Sequence, residues 1–298
     1  MRIITSVSYW ANFYFFIQNL SSWHRSVRVE YNDAWIDRIG KVNNDERRAL
    51  KRFADIRSRF KQGRSIFELA FFLQDDPFIF LKNKLHEKDF LFLKKLFEIF
   101  SNRFNQIYDA EKKQFIVWKD ILKEEFSDLI KIDEIHYQLS KLLGNCFIKN
   151  EVEIFLLLSA GNRCGGGSNI DQNSISIELS GTSKEKKNLI MGVIWHELIH
   201  LKWQNVVLHD LLVDMLGGDM TEVALMNEMI ISTLFPRGIL GKKYYDIELP
   251  NKFGFSNDMQ KNREIFKLME EYINSGRQVD RDLITLIKNI HRKRPGIS

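Results

Sequence analysis

The chain has 298 residues, of which 44% are hydrophobic and 28% are charged. These proportions exclude a disordered protein and are typical of an ordinary folded one. The net charge of +5 is mild, and no helix-turn-helix, zinc-finger spacing or aromatic and basic module accompanies it, so we expect no nucleic acid partner. The two cysteines, Cys146 and Cys164, exclude a disulfide framework and a cysteine-based zinc site.

The segment 7–20 is very apolar, yet it is shorter than the roughly 20 residues that cross a membrane and lacks a small-residue cleavage site. We interpret it as a buried or docking helix, with a signal or membrane-surface segment as the alternative. The default expectation is a soluble, cytoplasmic protein without stable membrane insertion. A secreted or membrane-associated form stays open.

Residues 1–145 carry a helical pattern throughout. The many aromatic residues of this region are expected to form a core rather than a ligand site. Gly144 is the best candidate boundary, so the sequence predicts a helical N-terminal region over 1–145 and a second domain over 146–298. Within the first region, helices are predicted from Asn43 onwards, where Glu46 completes a start signal, and over 66–73, 78–104, 110–125 and 136–143.

The pattern changes to strands after this boundary. Apolar residues over 147–159 and the alternation over 174–179 predict two strands, which are separated by a glycine-rich loop at 161–168. Thr182 and Glu185 have the spacing of a capping box at the start of the next helix. The sequence thus predicts an α+β fold, mostly helical, in which a small sheet precedes that helix.

The helix that follows carries His196-Glu197-Leu198-Ile199-His200, an H-E-x-x-H motif. Residues four apart on an α-helix differ by about 40° in direction and about 6 Å in height, so His196 and His200 can bind one metal ion. Glu197 then lies beside the open coordination position as a general base. Zinc hydrolases use this arrangement. Three polar groups in so apolar a helix are costly without a function.

A catalytic zinc ion needs a third protein ligand. A third histidine in the extended motif H-E-x-x-H-x-x-G-x-x-H is excluded, because Trp203 and Val206 occupy its glycine and histidine positions. Glu222 has the commoner spacing for a carboxylate ligand, whereas Glu228 suits a first helix that continues to Gly217 before the chain returns. The two glutamates point about 120° apart on one helix, so they do not share a face. This reasoning favours Glu228 and keeps Glu222 as the alternative.

The combination of H-E-L-I-H with a later M-N-E-M-I-I-S resembles the gluzincin zinc metallopeptidases, the group that includes thermolysin-like enzymes. The resemblance covers about residues 152–241 and is closest to the small, minimal gluzincin domains. It implies a zincin-like catalytic domain in which His196, His200 and Glu228 hold Zn²⁺, with Glu228 as the second member of the matching Asn-Glu pair.

Further roles follow from this resemblance. Ser232 stands where gluzincins commonly have an aspartate, and it is expected to accept the ring N–H of His196. Tyr244 or Tyr245 is expected to stabilise the oxyanion that forms during hydrolysis. Zinc peptidases commonly bind the substrate backbone along the strand before the motif helix, which assigns this role to residues 173–179.

The sequence therefore predicts a zinc-dependent peptidase that acts on a peptide or protein substrate. Glu197 takes a proton from water and returns it to the leaving amine. The main alternative is a catalytically silent zincin-fold protein that binds a peptide or protein partner, and a helical protein with a chance motif is the other. Residues 1–145 are expected to act as a lid, a pro-region or a scaffold.

Overall fold

The computed structural model describes residues 2–23, 29–60, 66–145, 151–160, 164–169, 172–179, 183–248 and 259–292. This part of the chain is mostly helical and contains a four-stranded sheet, which confirms the predicted α+β class. It forms two compact units. The sheet unit contains Ile3–Lys123 and Val152–Thr182, and the HExxH unit contains Met1–Arg2, Glu124–Glu151 and Ser183–Ser298.

The sheet is formed by β1 (Arg2–Ser6), β2 (Glu151–Leu158), β3 (Gly165–Asn169) and β4 (Ser174–Leu179). Their spatial order is β1-β2-β4-β3, with β2 parallel to β4 and β3 antiparallel to it. In register, Glu153 of β2 lies opposite Ser174 and Gly167 of β3 lies opposite Ser176. The predicted strand at 174–179 is confirmed, and so is the described part of the strand predicted over 147–159.

Two strands correct the sequence prediction. Residues 2–6 form β1 although helix is predicted throughout 1–145, and residues 165–169 form β3 where a loop is predicted. Glycine disfavours strands because it offers no side chain for packing. At the sheet edge β3 needs only its backbone to pair with β4, so its glycines are tolerated.

The helices of the sheet unit follow the predicted order with one break and one merger, and the break is at residues 83–86, which interrupt the helix predicted over 78–104. The sequence predicts separate helices over 78–104 and 110–125, but no glycine or proline interrupts residues 87–125, which form one long helix. Asn43 caps its helix through a capping box with Glu46, as predicted. The helices are α1 (Tyr9–Ser21), α2 (Val29–Ile39), α3 (Asn44–Ser58), α4 (Ile66–Leu73), α5 (Pro77–Lys82) and α6 (Glu87–Glu125).

Aromatic side chains form the core of the sheet unit, as predicted. Phe13 of α1 stacks on Phe104 of α6 with ring centroids 4.4 Å apart, and Tyr14 stacks on Phe71 of α4 at 4.7 Å. All four rings are buried. The apolar segment 7–20 is therefore largely a buried helix, as predicted, and no described helix has the length and apolar character needed to cross a membrane.

The units do not follow the predicted boundary at residue 145. The side-chain amide of Asn12 on α1 makes two hydrogen bonds to β2. Its N–H donates to the Leu156 carbonyl oxygen at 3.0 Å, and its Oδ1 accepts from the Leu158 backbone N–H at 2.7 Å. These buried hydrogen bonds satisfy backbone groups of β2 that would be costly to leave unpaired. The strands therefore belong with the N-terminal helices rather than with residues 183–298.

The HExxH unit is helical where it is described. Trp203 holds the helix Leu129–Leu143 within this unit. Its ring packs on His136 with ring centroids 5.3 Å apart, and its indole N–H donates to the Gly144 carbonyl oxygen at 3.0 Å. The predicted cap Thr182 lies outside the described residues, and Ser183 caps the motif helix. The helices are α7 (Leu129–Leu143), α8 (Lys184–Ile199), a π-helical segment (His200–Leu208), α9 (His209–Met215), α10 (Met220–Ser232), α11 (Ile239–Tyr245), α12 (Met259–Ser275) and α13 (Arg281–Arg292).

Candidate metal centre

The motif residues lie where α8 passes into the π-helical segment. Every residue from Ile190 to Ile199 is buried, so His196 and Glu197 sit inside the HExxH unit rather than on a solvated face. His200 begins the π-helical segment, a wider helical form that often occurs at functional sites. Helical structure continues to Met215, just before Gly217, as expected from the sequence.

Three side chains converge on one point. The Nε2 atoms of His196 and His200 are 3.0 Å apart. One carboxylate oxygen of Glu228 on α10 lies 3.4 Å from the His196 Nε2, and the other lies 3.2 Å from the His200 Nε2. Among the described residues, these three form the group of histidines, cysteines and acidic residues that could hold a metal ion.

The spacing of these donor atoms fits a tetrahedral metal ion. Donors about 2.0–2.1 Å from zinc at tetrahedral angles are roughly 3.3–3.4 Å from one another. The observed separations of 3.0, 3.4 and 3.2 Å are close to this value. Two imidazoles and one carboxylate also form the donor set that zinc prefers when one coordination position stays open. The residues present therefore fit the ion.

The alternative third ligand is engaged elsewhere. Glu222 forms an ion pair with Arg292 of α13, whereas Glu228, six residues further along α10, reaches both histidines. The different directions follow from the six-residue separation on one helix. The Glu228 side chain is 47% exposed, so the site opens to solvent on the α10 side.

A backbone carbonyl orients the first histidine. The His196 Nδ1 lies 2.9 Å from the Phe235 carbonyl oxygen, which can only accept a hydrogen bond. A ring proton therefore resides on Nδ1, which leaves Nε2, next to Glu228 and His200, to bind either a second proton or a metal ion. This is the pattern by which histidine ligands are usually held in place around a metal ion.

Ser232 does not have the expected role. Its hydroxyl donates to a Glu228 carboxylate oxygen at 2.9 Å, one turn earlier on α10, rather than accepting from His196. The Phe235 carbonyl oxygen accepts the ring N–H of His196 in place of the Ser232 hydroxyl. Ser232 therefore orients the Glu228 carboxylate rather than the His196 ring.

Glu197 is buried and has no hydrogen-bond partner among the described residues. Burial raises the pKa of its carboxyl group, and the neighbouring His196 and His200 oppose this rise. A carboxylate without a partner and with a raised pKa is suited to taking up a proton from water. This matches the general base role predicted for Glu197.

The protonation states of His196 and Glu228 are coupled. Burial lowers the pKa of His196, but its hydrogen bond with Glu228 and the charges of Glu197 and Glu228 outweigh this effect and raise the pKa to about 9. Burial raises the pKa of Glu228, but hydrogen bonds from His196 and His200 hold it well below its ordinary value. A proton thus occupies the cluster at neutral pH, and a cation can replace it.

Both predicted tyrosines take part in hydrogen bonds within the HExxH unit. The Tyr245 hydroxyl accepts the indole N–H of Trp195 at 2.8 Å, and the Tyr244 hydroxyl donates to Glu134 at 2.9 Å. Trp195 precedes His196 by one residue, so its side chain leaves α8 about 100° away from that ligand. In its contact with Trp195 the Tyr245 hydroxyl only accepts, so its own proton stays available, and the oxyanion role of either tyrosine stays a prediction.

The expected substrate strand is also not available. Both edges of β4 are hydrogen bonded, since β2 pairs with residues 174–179 on one side and β3 pairs with residues 174–178 on the other. A strand with two partners cannot add a third. The strands at the ends of the described sheet are β1 and β3, so the assignment of residues 173–179 to substrate pairing is wrong.

Comparisons of the chain with protein-family models, curated proteins and solved structures found no match. The three converging side chains and Glu197 are predicted from the sequence, whereas the contact of the Phe235 carbonyl with His196 is not. A backbone carbonyl carries no side-chain signal, so only the folded chain reveals its contact with His196. The chemistry of the site therefore rests on its own geometry.

Proposed function

We propose that this protein is a zinc-dependent peptidase with a zincin-like catalytic site. The observation that carries the proposal is the convergence of His196, His200 and Glu228: the two Nε2 atoms are 3.0 Å apart, and the two Glu228 carboxylate oxygens lie 3.4 and 3.2 Å from them. The Glu197 carboxyl group, next to His196 in the motif, is buried and has no hydrogen-bond partner among the described residues. These are the ligands and the base of a metal-assisted hydrolysis.

Each residue has a distinct part in this mechanism. A bound zinc ion would polarise the scissile carbonyl group and lower the pKa of water at the site. Glu197 accepts a proton from the attacking water and delivers it to the leaving amine. Phe235 and Ser232 fix the orientations of His196 and Glu228, so that the donor atoms need no rearrangement.

The Glu197→Gln variant tests this proposal. Glutamine keeps the size of the side chain but cannot accept the proton, so we expect the variant to retain zinc and lose at least about 100-fold in peptide hydrolysis. Glu185→Gln is the matched control, because Glu185 is an exposed glutamate on the same helix. Zinc content is measured by elemental analysis, and turnover is measured with a peptide library.

Two results would overturn the proposal. A fully active Glu197→Gln variant would remove the general base from the mechanism. Stoichiometric zinc without turnover of any library peptide would favour the catalytically silent alternative, in which the site binds a peptide or protein partner.

A further inference from the structure

Gly192 lies in the middle of the buried helix α8, four residues before His196. Glycine is among the poorest helix formers, and alanine would be favoured at an ordinary interior position. Residues four apart share a helix face, so Gly192 and His196 face the same neighbours. Its position suggests that a side chain is excluded by something that packs on this face.

The excluding group is the return segment, which we define as residues 233–238 between α10 and α11. A Cβ atom on Gly192 would lie 2.9 Å from the Pro236 Cβ and 3.0 Å from the Pro236 Cα. It would also lie 2.8 Å from the Ile247 Cδ1. Such distances are too short for carbon atoms, which prefer about 3.5–4.0 Å. The return segment can reach α8 only because Gly192 has no side chain.

This close approach has a consequence for the ligand. Phe235 immediately precedes Pro236, and its carbonyl oxygen accepts the Nδ1 proton of His196 at 2.9 Å. A hydrogen bond of this length weakens quickly when its acceptor moves away or tilts. The contact at Gly192 and the contact at His196 are therefore made by neighbouring residues of one segment against one face of α8.

The return segment cannot easily move in the other direction. Backbone hydrogen bonds tie it to α11, since Ile239 N–H donates to the Thr233 carbonyl oxygen at 2.8 Å and Gly241 N–H donates to the Leu234 carbonyl oxygen at 3.0 Å. A Cβ atom on Gly241 would overlap the Pro236 carbonyl oxygen, so α11 also packs tightly on the segment. A side chain at position 192 would displace the constrained Pro236 as well as the flexible end of the Ile247 side chain.

We propose that Gly192 is a positioning residue for the metal site: its missing side chain lets the return segment bring the Phe235 carbonyl to His196 and aim Nε2 at the metal. This inference rests on the zinc site of the proposed function. It assigns a role in metal affinity to a residue that neither binds zinc nor contacts a ligand through a side chain.

The test compares zinc dissociation constants of the wild type, Gly192→Ala and Val193→Ala, each measured by competition with a chelator. We expect Gly192→Ala to bind zinc about 10- to 100-fold more weakly, the usual cost of losing a group that orients a ligand. Val193→Ala is the structural control, because Val193 is a buried neighbour on α8. It should lower the midpoint of thermal unfolding and leave zinc affinity unchanged.

A second measurement observes the hydrogen bond itself. In the zinc-loaded wild type, NMR of the imidazole should show His196 coordinated through Nε2, with an Nδ1 proton protected from solvent exchange. That protection should be lost in Gly192→Ala and kept in Val193→Ala. If Gly192→Ala does not fold, the wild-type spectrum still tests the inference. A His196 Nδ1 proton that exchanges with solvent, or coordination of zinc through Nδ1, would overturn it.

The outcomes separate the two proposals. If the wild type binds no zinc, the proposed function fails and this inference fails with it. If the wild type binds zinc and Gly192→Ala binds it equally well with the Nδ1 proton protected, only the role of Gly192 is overturned.

Discussion

The charge pair between His196 and Glu228 makes a quantitative prediction for the zinc-free protein. The Glu228→Gln variant removes this pair. Burial, which lowers the pKa of His196, is then opposed by fewer interactions. In the wild type the pKa rises from 6.5 to about 9. Each factor of ten in proton affinity is worth about 1.4 kcal/mol, so the protonated histidine stabilises the folded state by about 3 kcal/mol.

The sign of the pH dependence follows from the direction of the change in pKa. Because the folded state holds the proton more tightly than the unfolded state, the stabilisation is fully present below pH 6.5. It is lost as the pH rises through about 9. The Glu228→Gln variant should lack most of this loss, because the hydrogen bond and the charge of Glu228 no longer raise the pKa of His196.

The assay is urea unfolding of both proteins in the presence of a chelator, at about pH 6 and about pH 10, together with an NMR titration of His196. We expect the wild type to lose about 3 kcal/mol more than the variant between these pH values. Comparing the two proteins cancels the contributions to stability of other groups that titrate between these pH values. Equal losses in the two proteins, or a wild-type His196 pKa near 6.5, would refute the reasoning.

Two further substitutions probe the site and the core. Ser232→Ala removes the hydroxyl that donates to Glu228, so zinc should bind about tenfold more weakly, as measured by chelator competition; unchanged affinity would exclude the orienting role. Glu68→Ala leaves the fully buried guanidinium of Arg57 without its charge partner, so the free energy of unfolding should fall by about 3–5 kcal/mol in urea. The double variant Arg57→Met with Glu68→Leu should recover most of this loss, and a loss as large as that of Glu68→Ala would show that charge burial is not the cause.

Part of the site follows from local helix geometry. His196, Glu197 and His200 lie within five residues of one helix, so the sequence alone predicts their arrangement. Glu228 depends on where the chain turns back, and the long helical run to Met215 makes that turn predictable. The partners of His196 and Ser232 are not predictable in this way, because each depends on how α10 and the return segment pack.

The fold shows the same distinction between local and long-range information. The capping box at Asn43 and the strand at 174–179 are read from neighbouring residues, and both are confirmed. The strand at 165–169 has no apolar alternation, because it forms by pairing its backbone with β4. Asn12 contacts residues more than 140 positions away, so no local pattern indicates that β2 belongs with α1.

The central claim is that His196, His200 and Glu228 hold one zinc ion, and the most direct test is the metal content of purified protein. Elemental analysis should find about one zinc per chain in the wild type and in Glu222→Ala, whose glutamate pairs with Arg292 instead. It should find none in His196→Ala or Glu228→Ala. No metal in any of these proteins, or zinc that survives Glu228→Ala but not Glu222→Ala, would contradict the account.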